Sequence, residues 1–256
     1  MEHLTFTAII PARYASTRFP GKPLAEIRGE SMISRVYHRV KKAVEDVWVA
    51  TDDQRIYDEC KRIGANVVMT SPNHPSGTDR INEAIKLIGC NSDVIINVQG
   101  DEPFIAPEQV NLLKSCFEDG NTQIATLVRK FDSTKGFEAL FDPNLVKVLF
   151  STNMQALYFS RSIIPYVRGT EYTEWLDKCT FYSHVGIYAY QKDVLSGITA
   201  LPRSNHEIAE SLEQLRWLDN GYKIKVAITE HPTIGIDTPA DLDAAIKFAT
   251  ENKLFD

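Results

Sequence analysis

Three cations stand close together near the start of the chain, Arg13, Arg18 and Lys22, within the segment IIPARYASTRFPGKP at residues 9–23. Two guanidinium groups and an ammonium can neutralise a polyphosphate, and the small residues Ala15, Ser16 and Gly21 let backbone amides approach the same anion. The pattern points to a nucleoside triphosphate, although residue types alone also allow a solvated loop whose charges meet nothing. It is not a Walker A loop, because Pro23 follows Lys22 where Ser or Thr and a helix start are required. No GxGxxG occurs in the chain either, so the main fingerprint of a dinucleotide-binding enzyme is missing. Farther along, Asp101 in NVQGDEP follows a glycine at the end of an apolar run. A carboxylate there suits Mg²⁺, which takes one or two carboxylates together with substrate phosphates, or it is simply the turn that starts the next helix.

These residues need elements to hold them. The apolar run of Leu4, Phe6, Ala8, Ile9 and Ile10 reads as a buried strand of a parallel sheet, which opens the cationic loop at the carboxyl edge where doubly wound folds bind ligands. A helix follows, with Ile33, Val36, Tyr37, Val40 and Val44 on one stripe and Ser31 as its cap. Strand 47–51, a helix striped by Ile56, Cys60 and Ile63 and stopped at Gly64, and strand 66–69 continue the alternation. The loop TSPNHPSGT at residues 70–78 leads to a helix carrying Ile81, Ala84, Ile85 and Ile88. Arg80 in its first turn opposes the helix dipole and so calls for an anion or a ring. The strand at 93–99 delivers Gln99 and Asp101, followed by a helix with Val110, Leu113 and Phe117 and a strand ending near Arg129. From about residue 145 the segments 146–150, 156–160 and 180–190 are β-rich without intervening full helices, which reads as an antiparallel insertion spanning 145–192. Ile208, Leu212, Leu215 and Leu218 form one helical stripe, 223–228 a strand, and Leu242, Ala245, Ile246 and Ala249 a last helix with Thr238 as N-cap and Pro239 at N1. That cap leaves Asp237 outside the helix, while Asp241 and Asp243 lie on it and read as solvated.

Size and charge narrow the class. The chain has 256 residues, 43% hydrophobic content and a formal charge of -6, enough for one α/β unit and too acidic overall for a nucleic-acid partner. Cys60, Cys90, Cys116 and Cys179 show no CxxC pair, so neither a zinc site nor a disulfide framework is supported. No signal sequence or membrane-length apolar run is present, which fits a cytoplasmic enzyme with no membrane partner.

PARYASTRFPGKP resembles the N-terminal segment of the 3-deoxy-manno-octulosonate (Kdo) cytidylyltransferases, and similar motifs recur in the family's order from Ile9 to Leu242. The resemblance implies a Rossmann-like nucleotidyltransferase fold, also called the nucleotide-diphospho-sugar transferase fold: α/β, with a mostly parallel sheet flanked by helices, in a single domain over 1–256. It implies that Pro11, Ala12, Arg13, Arg18, Lys22, Ser76 and Arg80 contact CTP, although Asp79 stands where the family carries Glu. It also implies that Asp101 and Asp237 bind Mg²⁺. Gln99, Arg161 in ALYFSR, His184 and Tyr188 in HVGIYAY, and Glu213 and Gln214 in LEQLR would contact the sugar acid. On residue type alone His184 is more simply a satisfied core histidine, and Glu213 and Gln214 a polar helix flank.

The implied reaction is CTP plus Kdo giving CMP-Kdo and pyrophosphate, for lipopolysaccharide assembly, by a homodimer joined through the β-rich insertion. Arg13, Arg18, Lys22, Asp101 and Asp237 are its expected catalytic residues. An 8-amino analogue of Kdo or a nonulosonic acid is an alternative acceptor with the same chemistry. A non-catalytic nucleotide-binding protein is the alternative from another class, and it would have no need of both Asp101 and Asp237.

Overall fold

The computed structural model describes residues 4–16, 18–232, 234–252 and 254–255. The chain gathers into two compact units, one of residues 1–111 with 233–256 and one of residues 112–232. The first begins with β1 (Phe6–Ala12), the short ribbon β2 (Glu26–Ile27) and β3 (Glu30–Ser31), and α1 (Met32–Lys41). It continues through β4 (Asp46–Thr51), α2 (Gln54–Arg62), β5 (Asn66–Met69), α3 (Gly77–Leu87) and β6 (Val94–Asn97) to α4 (Pro107–Ser115), in which the division falls. Strand β1 is flanked by β4 and β6, and β4 by β5, all parallel. Ala8, Ile9 and Ile10 are fully buried, as a strand with neighbours on both edges and helices on its faces requires.

Helix α1 buries Ile33, Val36, Tyr37 and Val40, and the Ser31 hydroxyl accepts from the Ser34 amide to cap it. Val44 is buried but lies beyond the helix end, so the sequence stripe ran one turn longer than the helix. Phe117 likewise follows α4 while packing inward. The cysteines are free, and burial pushes the Cys60 thiol up to about 12 and the Cys116 thiol to about 11, so both stay protonated.

The second unit holds β7 (Ile124–Lys130), β8 (Lys147–Phe150), β9 (Ala156–Ser160), the single turn α5 (Trp175–Lys178) and β10 (Tyr182–Gln191). After these come α6 (Lys192–Thr199), α7 (Asn205–Glu210), α8 (Glu213–Asp219) and β11 (Ile224–Ile228). Strand β10 runs antiparallel to β7 and to β8, β8 antiparallel to β9, and β11 parallel to β7. The α/β class, the parallel pairing of β1, β4, β5 and β6 and the antiparallel character of the later segments match the sequence reading.

One helix does not. The single stripe from Ile208 to Leu218 is two helices, because Ser211 takes a left-handed φ of 51° and Leu212 starts α8 in extended geometry. Arg161 explains where the freed carbonyls go: its Nε donates to the Glu210 carbonyl at 2.6 Å and its Nη2 to the Ser211 carbonyl at 3.4 Å. Ile208 is accordingly exposed rather than part of a core stripe.

The chain returns to the first unit with α9 (Pro239–Glu251), capped by Thr238, with Pro239 in its first turn. Asp241 is not a solvated helix residue. Its carboxylate completes a capping box with Thr238 and accepts from the Asp237 amide at 3.1 Å, so it fixes the chain just before the helix. Ala245 and Ala249 bury against Ile27, Met32, Phe104 and Ile236, with Phe19 packed on the same cluster. No helix of the described residues is long and apolar enough to cross a membrane.

Candidate active site

The carboxyl ends of β1 and β6 open into a cleft of about 280 Å³ within the first unit. Pro11 and Ala12 line it from the end of β1, Arg13, Arg18 and Lys22 from the segment that leaves that strand, Gln99 and Asp101 from the segment that leaves β6, and Asp237 from the approach to α9. Gly100 is needed for that closeness. A Cβ there would stand 3.0 Å from the Pro11 carbonyl oxygen, so a larger residue would push the Asp101 loop off the end of β1.

Charge organises the cleft. Lys22 Nζ donates to Asp101 Oδ2 at 2.6 Å and to Asp237 Oδ1 at 3.2 Å, while Arg18 Nη2 reaches the same Asp237 oxygen at 3.1 Å. Lys22 is largely covered, whereas Arg18 is exposed, and Arg13 is exposed on the rim. The neighbouring Glu102 is pushed up to about 8, first by burial and then by the charges of Asp101 and Asp237, with Lys22 opposing. One of its carboxyl oxygens is buried with no hydrogen-bond partner among the described residues. Glu102 therefore stays protonated at neutral pH, which limits the negative charge gathered around Lys22 to two carboxylates.

Helix α3 turns its N-terminus to the cleft. Ser76 caps it, accepting from the Asp79 amide, and Ser76 and Gly77 line the wall. Arg80 lines the wall too, but it is only 4% exposed. Its Nη2 pairs with Asp52 at 2.8 Å and its Nη1 donates to Thr70 Oγ1 at 2.6 Å. The anion that Arg80 needed is thus an aspartate at the end of β4. Sequence reasoning passed over His74 and Asp52, and it singled out Ser16, which lines the cleft, only as a small residue of the loop. His74 lines the cleft and lies 2.6 Å from Glu83 through Nε2. Its place in TSPNHPSGT, two residues before a site serine, was the available signal.

In the second unit, His184 and Tyr188 lie on β10 on either side of a bulge between Val185 and Tyr188. Thr126 Oγ1 is 2.8 Å from the Ile187 carbonyl and 3.0 Å from His184 Nε2. Donating to the carbonyl, the hydroxyl accepts from His184, which puts the proton of a neutral ring on Nε2 and leaves Nδ1 as an acceptor. The ring packs against Phe159 and Tyr188, both with centroids at 5.2 Å, and burial pulls its pKa down to about 3. Burial, then the neighbouring Tyr190 and the charge of Glu213, raise Tyr188 well above the usual phenol range.

Helix α8 packs Trp217 edge-on to Tyr188 at 5.1 Å and starts with Glu213 and Gln214. Arg216 Nη2 holds Glu213 Oε1 at 2.7 Å, and Gln214 is buried with its amide nitrogen unpartnered among the described residues. Arg161 is placed differently. Its guanidinium donates to the Pro143 carbonyl as well as to the end of α7, and it lines a hollow with Tyr166 and Trp175 to which none of His184, Tyr188, Glu213 and Gln214 contributes.

A cytidylyltransferase family model matches residues 7–224. A 3-deoxy-manno-octulosonate cytidylyltransferase of Parabacteroides distasonis is 61% identical over 96% of this chain and 98% of its own length. An 8-amino-3,8-dideoxy-manno-octulosonate cytidylyltransferase of Shewanella frigidimarina is 46% identical over 92% of this chain and 95% of its own. The solved structure of CMP:2-keto-3-deoxy-manno-octonic acid synthetase complexed with CTP superposes with a TM-score of 0.88 at 41% identity, covering 97% of this chain and 99% of that one. The fold and the matched segment define a nucleotidyltransferase of the cytidylyltransferase class. Within that class the chain belongs to the 3-deoxy-manno-octulosonate cytidylyltransferase family.

Two outcomes follow from these buried groups. Asp52→Ala leaves the buried Arg80 guanidinium without its counter-charge and should lower the unfolding free energy by about 3 kcal/mol, read from the urea midpoint. His184 has a folded pKa near 3, below the 6.5 of an exposed imidazole, so between those values the unfolded chain binds the extra proton. This residue's contribution to stability is therefore intact above pH 6.5 and is lost as pH falls toward 3. The ring-proton shifts of His184 in NMR should stay constant from pH 8 down to about pH 5; a midpoint near 6.5 would contradict a neutral buried ring.

Proposed function

We propose that the protein transfers CMP from CTP to the anomeric hydroxyl of 3-deoxy-manno-octulosonate, giving CMP-Kdo and pyrophosphate for lipopolysaccharide biosynthesis. The observation that carries this reading is the convergence of Arg13, Arg18 and Lys22 with Asp101 and Asp237 in one cleft at the carboxyl ends of parallel strands, in a chain of this family. The guanidinium groups and the ammonium bind the triphosphate and neutralise the charge that grows on the leaving pyrophosphate. Residues Ser76 and Gly77 offer the positive end of α3 to the same anion.

Asp101 and Asp237 suit Mg²⁺. Their oxygens already converge on one cation, the Lys22 ammonium, and two carboxylates with substrate phosphates are the usual donor set for that ion. Among the described residues no group of three or more His, Cys, Asp or Glu side chains is arranged to hold a metal, so the remaining donors would be phosphate and water oxygens. Bound there, the ion supplies charge stabilisation at the α-phosphate and acidifies the attacking hydroxyl.

His184, Tyr188, Glu213 and Gln214 form the polar set for the sugar acid, with His184 neutral and acting as a hydrogen-bond partner rather than a base. Gln99, which bonds Asn97, lines the cleft of the first unit and is read there as a sugar contact of its own. Arg161 contributes by anchoring the end of α7. The name of the Shewanella relative supports a second reading in which the acceptor is the 8-amino sugar, since nothing in the cation and carboxylate set distinguishes the two. The protein acts in the cytoplasm as a homodimer joined through residues 145–192, a reading supported by the exposed Leu157 and Tyr166 in that segment. A monomer at micromolar concentration in light scattering would overturn the dimer.

Pyrophosphate release measured with Mg²⁺, each of the four nucleoside triphosphates, and Kdo, 8-amino-Kdo or N-acetylneuraminate should be CTP-dependent and fastest with Kdo. Asp101→Asn should lower turnover by about a hundredfold or more while the melting temperature stays within a few degrees. Turnover within a few-fold of wild type would remove Asp101 from the metal site, and a preference for the amino sugar would move the acceptor assignment.

A further inference from the structure

The three cations of the cleft sit on a segment that, among the described residues, has only one turn of 3₁₀ helix, at Lys22–Leu24. A loop carrying like charges tends to splay, so something must hold it folded. Its backbone closes on a single acceptor, because the Tyr14 carbonyl receives the amides of Ser16 and Gly21, both at 2.9 Å. The Tyr14 side chain backs the same closure. Gly21 has a left-handed φ of 74°, and a Cβ there would stand 2.9 Å from the Tyr14 ring, so the ring lies directly against the glycine that ends the loop.

The ring is itself gripped from another element. The Arg55 guanidinium lies over it, 3.3 Å from the ring centroid. Arg55 is held in turn by Asp53, through Nε to Oδ1 at 2.9 Å and Nη2 to Oδ2 at 2.7 Å. Asp53 also caps α2 by accepting the Arg55 amide, so its carboxylate is tied to a helix start and cannot follow the loop. A continuous chain of contacts thus runs from the start of α2 through Asp53, Arg55 and the Tyr14 ring to Gly21, adjacent to Lys22.

We propose that Tyr14 and Arg55 are positioning residues for the triphosphate: the guanidinium–ring stack pins the loop to α2 so that Arg13, Arg18 and Lys22 reach their places before the nucleotide arrives. The proposal rests on the triphosphate reading of the cleft. Neither residue needs to touch the nucleotide. Arg55 is paired and stacked, and the ordering it imposes on Tyr14 removes conformational freedom that binding would otherwise have to remove.

Titration calorimetry with CTP on the full chain, joined to hydrogen exchange of the nucleotide-free protein, tests this. Arg55→Ala should weaken CTP about threefold, the scale of an exposed cation–π contact, and Tyr14→Ala about tenfold because it also removes the wall behind Gly21. Tyr14→Phe keeps the ring and should bind within twofold of wild type; Arg55→Lys, lacking the planar fork, should recover only part of the loss. Arg62→Ala removes a cation from the same helix without touching the stack and should leave CTP binding unchanged, which separates positioning from loss of general positive charge. The Gly21 amide should exchange faster in Arg55→Ala and Tyr14→Ala without any nucleotide, and the KM for CTP should rise while that for the sugar acid stays. Wild-type CTP affinity and unchanged Gly21 exchange in both alanine variants would overturn the positioning role alone. A wild-type chain that takes no CTP would overturn the triphosphate reading and this inference with it.

Discussion

The Lys22 ammonium, 2.6 Å from Asp101 and 3.2 Å from Asp237, joins three segments that are far apart in the chain. One leaves β1, one leaves β6, and one leads into α9. Without a cation between them the two carboxylates would repel each other at close range, and their charges add to the effect of burial in raising the neighbouring Glu102 to about 8. Apolar packing anchors the same three segments from behind. Phe19, Phe104 and Ile236 are close in sequence to Arg18, Asp101 and Asp237, and all three pack in one cluster with the Ala245 and Ala249 face of α9. Burial holds the backbone, and the ion pairs then set the side chains.

The second unit solves a different problem, that of keeping polar groups buried and neutral. His184 and Tyr188 are shifted by burial in opposite directions, and both shifts favour the uncharged form. Thr126 supplies the single hydroxyl that settles the His184 tautomer. Arg161 works on the backbone, accepting the role of a helix cap by donating to carbonyls at the end of α7. The turn at Ser211 follows, and with it the separate start of α8 that presents Glu213 and Gln214 in a first turn.

Much of this was legible in the residues because it depends on local spacing. The apolar run before Arg13, the Ser31 and Thr238 caps, the Thr238–Pro239 helix start and the glycine before Asp101 each act within a few positions, so period and residue type suffice to place them. The cationic loop and both site aspartates were picked out by the same means, with the family resemblance assigning their partners. Where local pattern misled, a distant residue had intervened. The 208–218 stripe is continuous as a pattern, yet the carbonyls at its middle are taken by Arg161, some fifty residues earlier.

The sequence by itself determined most of the strands and helices, the class of fold and the gathering of three cations in one short loop, since side-chain period and charge type are properties of short segments. Only the tertiary structure decided which charges meet. Arg80 finds Asp52 across 28 residues and Lys22 finds Asp237 across 215, and Arg55 settles on a tyrosine from another strand's loop. Such pairings are set by how the sheet brings strand ends together, and the protonation of His184 and Glu102 by how deeply they are covered; neither quantity exists until the chain has packed.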